Sequence, residues 1–345
     1  MFDGLRVLVT GGTGSLGKTV VRRLLAGSAG RPARVTVFSR DEAKQHDMRL
    51  SYLHRKLATD DIIYRHSQEL LSFRIGDVRD YSAIARAVAE ADVVVHAAAL
   101  KQVPSCEYFP SEAVATNILG ATNIVRSIRE GRLPVKVVAG ISTDKACKPI
   151  NVMGMTKAVM ERIFVEANLG SAGTRFVCVR YGNVIASRGS VVPLFIEQVA
   201  AGGPVTITLR EMTRFLLSLD RAVDTVFAAI EHALPGETYV PRVPAARVID
   251  VAEALIDGRE IPITLTGIRP GEKIHEIMVS EEECHRTVER DGYYVICPML
   301  PELRRQAIGT PALQSEYSSS DVTLGPAELR TLLAPYTGTE RELEE

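Results

Sequence analysis

Residues 5–17 of the chain read LRVLVTGGTGSLG. The first five residues form an apolar run typical of a buried strand, and a helical pattern follows from about residue 15 to residue 26. The glycines between them permit a tight turn and let the backbone approach a pyrophosphate at the helix N-terminus, where free N–H groups and the helix dipole favour anions. We predict a dinucleotide site here, formed by Gly11, Thr13, Gly14, Ser15, Leu16 and Gly17.

The alternation of strands and helices extends from this motif through the first half of the chain. Helical patterns occur near residues 41–57 and 152–167, and three consecutive valines at residues 93–95 are typical of a parallel strand buried on both faces. The alternation predicts an α/β fold with a Rossmann-like, doubly wound parallel sheet. This setting favours the nucleotide site over the alternative interpretation of the glycines, a plain strand-to-helix turn. Further strands are predicted at residues 35–38, 72–75, 92–96, 135–141 and 175–180.

The regular alternation weakens after about residue 187. We therefore predict a first domain, residues 1–186, that binds the dinucleotide and carries the catalytic residues. Residues 187–345 are expected to form mainly a smaller α/β substrate-binding lid domain, with some interleaving of the two and a polar tail from about residue 335. The pieces of this second half are strands near residues 205–209 and 237–240 and helices near residues 222–233 and 248–256.

The overall composition excludes several classes of function. With 41 Lys plus Arg and 42 Asp plus Glu the formal net charge is −1, which gives no reason to expect a nucleic-acid partner or an anionic membrane surface. No apolar run approaches the ~20 residues of a membrane span, and we expect no separate hydrophobic leader before the first strand. The five cysteines are widely spaced, so we expect neither a metal site nor a disulfide scaffold, and we expect a cytoplasmic protein.

The residues after the second predicted strand indicate which nucleotide binds. An NAD site places Asp or Glu there to bind the ribose 2′-OH, whereas this chain has Ser39 and Arg40, with Lys44 one helical turn further on. A hydroxyl and two cations suit a 2′-phosphate, so we predict NADP; the alternative is that both cations only decorate a solvated helix. Asp77 and Val78 are expected beside the adenine. Small side chains close to the cofactor are supplied by Ala97, Ala98 and Ala99.

Several further motifs carry a resemblance to a known family. The chain resembles the extended short-chain dehydrogenases/reductases in residues 10–17, in HAAA at residues 96–99, around Asn117 and at Lys157. It is similar, more specifically, to the inverting UDP-N-acetylglucosamine 4,6-dehydratases, from residue 4 to about residue 330. The stretches that carry this likeness are SRDE (39–42), AAALKQVP (97–104), STDK (142–145), RYGNV (180–184), MTRF (212–215) and RPGEK (269–273).

The catalytic helix departs from the superfamily pattern at one position. The superfamily places a Tyr four residues before the Lys to take a proton from a sugar hydroxyl, but here Met153 precedes Lys157. A thioether has no useful proton chemistry, so Met153 is not a base. One interpretation is an inactive protein that only binds NADP. The other, which the remaining residues favour, is the active capsule-synthesis branch of the family that carries Met here, with Lys157 taking the proton directly or through a water.

The STDK stretch follows the fifth predicted strand, and the resemblance implies that it performs the elimination. Asp144 is implied as the acid that protonates the departing C6 hydroxyl and Lys145 as the base at sugar C5, with Thr143 beside them. Each would need its pKa moved toward neutrality by burial and by its neighbour. A surface Asp–Lys pair is the alternative, and the position at a strand end favours catalysis. The resemblance also adds Tyr181 to the cofactor-binding residues.

The family motifs in the second half imply the residues that bind substrate. Arg214 and Arg269 suit a diphosphate because guanidinium groups match phosphate oxygens, although either alone is equally compatible with a surface ion pair. Glu272 is expected to accept hydrogen bonds from a ribose diol. Asn183 is expected to donate to the diphosphate, and Lys101 to reach the cofactor or the sugar.

Together the resemblance implies a lyase that dehydrates UDP-N-acetylglucosamine to a UDP-4-keto-6-deoxy-HexNAc with inversion at C5, in surface polysaccharide or capsule synthesis. The NADP is expected to stay tightly bound and to be regenerated in each turnover. A nucleotide-sugar epimerase is one alternative, and its chemistry does not need Asp144 and Lys145. A non-catalytic NADP-binding sensor is the other, and Met153 would suit it. Family members commonly form closed rings, so a homo-oligomer, with a hexamer as one form, is expected.

Overall fold

The computed structural model of the chain describes residues 1–54, 70–170, 173–185, 190–304 and 309–337. Three expectations fall partly outside these residues: the last part of the helix at 41–57, the domain boundary at 186, and the polar tail beyond residue 337. In the described part of the chain, none of the helices combines the length and the apolar character needed to cross a lipid bilayer.

Strands and helices alternate along the first half of the chain. The described strands are β1 (Arg6–Thr10), β2 (Arg34–Ser39), β3 (Leu71–Ile75), β4 (Val93–His96), β5 (Val137–Ile141), β6 (Arg175–Val179), β7 (Asn183–Val184), β8 (Val205–Ile207), β9 (Thr213–Leu217), β10 (Thr238–Pro241), β11 (Ala245–Arg247), β12 (Ile263–Leu265), β13 (Ile277–Val279), β14 (Thr287–Arg290), β15 (Tyr293–Ile296) and β16 (Tyr317–Ser318). The described α-helices are α1 (Ser15–Leu25), α2 (Glu42–His54), α3 (Tyr81–Val88), α4 (Val103–Tyr108), α5 (Pro110–Ala113), α6 (Gly120–Gly131), α7 (Val152–Gly170), α8 (Val191–Ala200), α9 (Leu219–His232), α10 (Val248–Ile256), α11 (Glu281–Cys284) and α12 (Pro326–Thr337). A π-helix spans Val114–Leu119, and 3-10 turns span Asp144–Ala146 and Pro301–Leu303.

Nine of the described strands form one sheet, in the order β14-β15-β10-β6-β5-β4-β1-β2-β3. Strands β1 to β6 and β10 run parallel, and β15 is antiparallel to both β10 and β14. The predicted α/β class with a doubly wound sheet is confirmed. The strand order reverses between β1 and β4, and in such sheets ligands bind outside the carboxyl ends of the strands at this switch point.

Both faces of the sheet are covered by helices, which explains the apolar strands. In β4, Val93 and Val95 belong to one apolar cluster and Val94 to another, because successive side chains point to opposite faces. All three valines are buried, as a parallel strand between two helical layers requires. Helices α1 and α9 contribute to the first cluster, and α3, α6 and α7 contribute to the second.

The second half of the chain contributes to the main sheet and also builds a smaller unit. Residues 237–240, which the sequence analysis assigns to the smaller unit, lie largely in β10, beside β6 in the main sheet. All four residues of β10 are buried, so this strand needs cover on both faces, which the main sheet provides. Elements β8, β9, α8, α10 and α12 surround a separate apolar cluster that includes Phe195, Val251 and Leu329.

Candidate active site

The glycine turn and the end of β4 meet at a cavity of about 960 Å³. Gly11 has a φ of +67°, and a Cβ there would lie 2.7 Å from the backbone nitrogen of Ala98. A Cβ on Gly17 would lie 2.5 Å from the Gly11 carbonyl oxygen. Because the obstructing atoms belong to the backbone, neither position admits a side chain. No side chain caps α1, so its first N–H groups suit an anion, and the cradle fits a dinucleotide pyrophosphate.

Every residue to which the sequence analysis gives a cofactor, catalytic or substrate role lines this one cavity. These residues come from the turn after β1, from the carboxyl ends of β2, β3, β4, β5 and β6, from α7, and from the smaller unit. Parallel strands bring their carboxyl ends to the same edge of the sheet, which explains how segments far apart in sequence meet here.

The end of β2 carries the residues predicted to bind a 2′-phosphate. The buried amide of Gln45 donates 3.0 Å hydrogen bonds to the hydroxyl and the carbonyl of Ser39. Arg40 lies 3.6 Å from a carboxylate oxygen of Asp77, and Lys44 pairs with Asp41. The Arg40 and Lys44 side chains remain 53% and 47% exposed, so both cations are accessible to an anion that competes with these carboxylates.

Asp144 begins the 3-10 turn after β5 and is fully buried. Its Oδ1 accepts hydrogen bonds from Thr143 Oγ1 at 2.9 Å and from Lys145 Nζ at 3.1 Å, and its backbone N–H donates to the Tyr181 carbonyl at 3.0 Å. Burial raises the pKa of Asp144, and the charge of Glu276 adds to this rise while Lys145 opposes it. A raised pKa makes a carboxyl group better suited to act as an acid.

Lys145 lies between two buried carboxylates, Asp144 and Glu276. Its Nζ is 3.1 Å from Asp144 Oδ1 and 3.0 Å from Glu276 Oε1. Burial works to lower the pKa of Lys145, but the two negative charges outweigh burial and raise it above its ordinary value. The expectation that both pKa values move toward neutrality is therefore correct for Asp144 and wrong for Lys145. The physical reason is the second carboxylate, which the sequence analysis did not place here.

Lys157 occupies an apolar part of the same cavity. It is 5% exposed, and its Nζ lies 3.4 Å from the thioether sulfur of Met160, a weak acceptor. Burial lowers the pKa of Lys157 from 10.5 to about 8, so a substantial fraction of the amine is neutral near physiological pH.

His96, at the end of β4, is also buried. Burial lowers the pKa of His96 to about 3, and the His96 Nδ1 pairs with Thr10 Oγ1 at 2.9 Å, so this imidazole stays neutral.

Met153 lines the cavity one helical turn before Lys157 and is buried in a small cluster with Cys106 and Ala113. The same helix is tied to the loop after β4 through Asn117 in the π-helix. The Asn117 amide donates 3.0 Å hydrogen bonds to Thr156 Oγ1 and to the carbonyl of Leu100, and its oxygen accepts from the Leu100 N–H at 2.8 Å. The π-helix thus positions the cofactor-side loop against α7.

A buried ion network lies beside the 3-10 turn that begins at Asp144, and no sequence motif predicted it. Arg180 lies 2.6 Å from Glu161 on α7 and 2.7 Å from Glu283 on α11. Ser142, immediately before Thr143, donates a 2.5 Å hydrogen bond to Glu161. Burial works to raise the pKa of Glu283, but Arg180 holds it at about 2. Breaking one partner of such a network leaves a buried charge uncompensated.

The predicted substrate residues lie in or beside the smaller unit. The Arg214 guanidinium donates to the carbonyl oxygens of Thr213 at 2.7 Å and Ile274 at 3.1 Å, and its positive charge acts on Lys145 and Glu276. Arg269 is exposed and Glu272 half-buried at the cavity wall. Among the residues that the structure describes, no three His, Cys, Asp or Glu side chains are grouped so as to hold a metal ion.

Two functional features were missed for different reasons. Glu276 follows the RPGEK stretch by three residues, so its place within the family-like segment was a usable signal. Asn151 belongs to none of the sequence motifs, yet its side chain accepts from the Gly154 N–H at 2.8 Å and donates to the Gly271 carbonyl at 2.8 Å. Asn151 thereby ties the start of α7 to the RPGEK loop.

The fold and the site have the features of an extended short-chain dehydrogenase/reductase: a glycine cradle that fits a dinucleotide at the switch point, a buried lysine on α7, and the paired Asp144 and Lys145 in the turn after β5. The chain matches the family described as polysaccharide biosynthesis protein over residues 7–298, and it belongs to that family. The resemblance to the inverting UDP-N-acetylglucosamine 4,6-dehydratases is confirmed, as is the expectation of an enzyme of that family, whose named members are hydro-lyases.

Curated relatives cover most of the chain. A UDP-glucose 4-epimerase from Rickettsia typhi is 44% identical over 301 residues, which cover 86% of this chain and 84% of the relative. A UDP-N-acetylglucosamine 4,6-dehydratase (inverting) from Campylobacter jejuni is 40% identical over 303 residues, which cover 87% and 85%. The relatives therefore carry two different reaction names on closely similar sequences.

Solved structures agree with this fold. The X-ray structure of Pen from Bacillus thuringiensis has a TM-score of 0.85 at 32% identity and covers 97% of this chain and 99% of that chain. A dTDP-glucose 4,6-dehydratase from Streptomyces venezuelae, with NAD and TYD bound, has a TM-score of 0.66 at 21% identity and covers 78% and 87%. This second similarity shows a shared fold.

Proposed function

We propose that the chain dehydrates UDP-N-acetylglucosamine to a UDP-4-keto-6-deoxy-HexNAc with inversion at C5, as a hydro-lyase of surface polysaccharide synthesis. The observation that carries this proposal is the ion pair between the buried Asp144 and the half-buried Lys145, which shares one cavity with Lys157. Elimination across C5 and C6 requires an acid and a base besides the group that takes the O4 proton. Epimerisation at C4 requires neither member of the pair.

The cofactor that we propose is NADP. A bound nicotinamide would supply hydride transfer from sugar C4 and back to C6, and the 4-keto group formed between these transfers would acidify the C5 proton. The chain supports NADP rather than NAD because the end of β2 presents the Ser39 hydroxyl and the accessible cations of Arg40 and Lys44, with no carboxylate at residue 39 or 40 to bind a 2′-OH. The recycling of the cofactor favours its tight retention between turnovers.

Lys157 is the group that we assign to the O4 proton. Its buried, apolar surroundings lower its pKa to about 8, so the neutral amine needed to take a proton is available. Met153 lies where the superfamily has Tyr, and its buried thioether fills that volume without taking part in proton transfer.

Asp144 and Lys145 are the groups that we assign to the elimination. Asp144 delivers its proton to O6, which agrees with its raised pKa. Lys145 takes the C5 proton, which requires that its ammonium group first lose a proton. Return of a proton to C5 from the opposite face gives the inverted configuration.

The substrate nucleotide is assigned to the wall formed by the smaller unit. Arg214 and Arg269 are proposed to bind the diphosphate together with the amide of Asn183, because guanidinium and amide N–H groups match phosphate oxygens. Glu272 is proposed to accept from the ribose diol, and Lys101 to lie near the sugar and the cofactor.

A nucleotide-sugar 4-epimerase is the second candidate, because the 44% identical relatives carry that name. Incubation of the purified protein with UDP-N-acetylglucosamine, without added cofactor, distinguishes the candidates by mass spectrometry. Loss of one water from the sugar nucleotide supports the dehydratase. A new isomer of unchanged mass supports the epimerase, and an unchanged substrate supports a non-catalytic NADP-binding protein.

We also propose that the chain works as a homo-oligomer in the cytoplasm, where NADP and UDP-sugars are made. An exposed apolar face supports the assembly: Leu119, Met155 and Val159, on the adjoining π-helix and α7, are each 44–48% exposed. Light scattering coupled to gel filtration tests this proposal. The wild type is expected to have a multiple of the chain mass, and Met155→Glu with Val159→Lys is expected to give the single chain.

A further inference from the structure

Glu276 lies beside the catalytic pair although the sequence analysis gave it no role. It immediately precedes β13, its side chain is 2% exposed, and its Oε1 lies 3.0 Å from Lys145 Nζ. On the other side of the same nitrogen, Asp144 Oδ1 is at 3.1 Å. The ammonium group of Lys145 therefore bridges two buried carboxylates, one from the 3-10 turn after β5 and one from the residue before β13.

The charges at this bridge do not balance if both carboxylates are ionised. Within ion-pair distance, two carboxylates share one ammonium group, so the bridge itself would carry a net negative charge, and this favours an extra proton on one carboxylate. The unpaired oxygens, Asp144 Oδ2 and Glu276 Oε2, are buried without a hydrogen-bond partner in the described chain. The site is thus built to hold a proton on a carboxylate.

The surrounding groups decide which carboxylate holds this proton. Arg214 on β9 and Lys273 on the same loop place positive charge near Glu276, and together with Lys145 they hold the pKa of Glu276 below its ordinary value despite burial. Asp144 has Lys145 as its only bonded cation in the described chain, and burial raises its pKa. In the free enzyme the extra proton is therefore favoured on Asp144 over Glu276, and Lys145 is held in its charged form.

We propose that Glu276 is a positioning residue for the elimination, which takes up the Lys145 proton across their 3.0 Å contact and so converts Lys145 into a base. This inference rests on the proposed dehydratase function. The proton moves from Lys145 Nζ to a Glu276 oxygen, and the neutral amine then takes the C5 proton. The C5–H electron pair forms the C5–C6 double bond, the C6–O bond breaks, and the Asp144 proton joins the departing hydroxyl as water.

Bound substrate favours the transfer for a physical reason. The Lys145–Glu276 pair has a charged form, ammonium with carboxylate, and a neutral form, amine with carboxylic acid, and transfer of one proton converts one into the other. Solvent stabilises the charged form more than the neutral form. Lys145 keeps 23% of its side chain exposed on the cavity side. A sugar that displaces water from this side lowers the local dielectric and shifts the pair toward its neutral form.

The kinetic test compares Glu276→Gln with Glu282→Gln, an exposed carboxylate on α11 outside the cavity. In a single turnover with UDP-N-acetylglucosamine, we expect Glu276→Gln to form reduced nicotinamide at the wild-type rate and to lose water at least about 100-fold more slowly, the usual scale of acid–base catalysis. Glu276→Asp, which keeps a carboxyl acceptor, is expected to restore part of the elimination. Glu282→Gln is expected to match the wild type in both steps.

Two kinetic outcomes overturn the inference. Elimination at the wild-type rate in Glu276→Gln shows that Lys145 loses its proton without Glu276. An equal loss of oxidation and elimination shows that Glu276 serves only the architecture of the cavity.

A second readout does not depend on activity. The carboxyl carbon of Asp144, in ¹³C-Asp-labelled protein with NADP⁺ and no substrate, is followed by NMR titration and assigned with Asp144→Asn. We expect the pKa of Asp144 to lie above its ordinary value in the wild type and to fall in Glu276→Gln, because a neighbouring negative charge is removed. The same pKa in both proteins overturns the proton sharing. A wild type that shows the shift but does not dehydrate the sugar nucleotide overturns the proposed function instead.

Discussion

The role assigned to Lys157 depends on its neutral form, and Lys157→Arg tests it. Burial lowers the pKa of this amine from 10.5 to about 8. At about pH 7.5 the neutral fraction is then about one quarter, whereas at the ordinary pKa it would be about one in a thousand. A guanidinium keeps the positive charge and the length of the side chain but does not lose its proton near neutrality.

Stopped-flow absorbance of the reduced nicotinamide measures this step in a single turnover. We expect Lys157→Arg to slow its formation by at least about 100-fold. The wild-type rate is expected to rise with pH from about pH 6, to reach half its maximum near pH 8 and to level off above about pH 9, because only the neutral amine accepts the O4 proton. Lys136→Arg, an exposed lysine before β5, is the matched control and is expected to behave as the wild type.

Two results would refute this reasoning. Formation of reduced nicotinamide at the wild-type rate in Lys157→Arg would show that another group takes the O4 proton. A wild-type rate that is constant over the same pH range would show that the buried amine does not limit the step.

Three further predictions concern other residues in and around the cavity. Met153→Tyr is expected to keep or raise the dehydration rate, because a phenol at this position is a competent proton carrier; loss of activity in a folded variant, judged by circular dichroism, would contradict the account. Gly154→Ala is expected to lower turnover at least about tenfold in a steady-state assay, because its Cβ would lie 2.1 Å from the backbone carbonyl oxygen of Lys145. The control is Gly170→Ala at the end of the same helix. Its Cβ would meet only a flexible arginine side chain at 3.4 Å, so we expect wild-type turnover. Arg40→Ala with Lys44→Ala is expected to weaken NADP⁺ binding at least about tenfold in calorimetry and to leave NAD⁺ binding unchanged; equal losses would exclude a 2′-phosphate contact.

Local patterns in the sequence were sufficient to predict the fold and the glycine-lined side of the cavity. The apolar run before Gly11 and the three valines of β4 indicate strands that are buried on both faces. A sheet with helices packed on both sides buries its strands in this way. The glycines report the close approach of the turn to the end of β4. Both signals depend on residues that are neighbours along the chain, so the alternation of strands and helices was sufficient to predict them.

Contacts between distant segments could not be read in the same way. The bridge from Lys145 to Glu276 joins the first half of the chain to a loop near its end, and nothing in the sequence around either residue specifies the partner. The predicted direction of the Lys145 pKa shift was wrong for this reason, because the second carboxylate decides whether this pKa rises or falls. The network of Arg180 with Glu161 and Glu283 likewise assembles from three elements that pack together only in the folded chain.

The sequence did not indicate that β10 belongs to the main sheet, for a similar reason. Residues 237–240 read ETYV, a short piece of mixed polarity in an irregular stretch of sequence, so their pattern does not indicate which sheet they join. In the structure this strand is buried on both faces beside β6. A four-residue strand carries too little sequence to distinguish the edge of a small sheet from an added strand of a large one.

The most direct test of the central claim follows the hydrogen at sugar C4. UDP-N-acetylglucosamine with deuterium at C4 is incubated with the purified enzyme in ordinary water, and the product is analysed by mass spectrometry and NMR. The proposed dehydration predicts a product that has lost one water and carries the deuterium in its C6 methyl group. A product of unchanged composition, with the deuterium still at C4, would contradict the account and identify an epimerase.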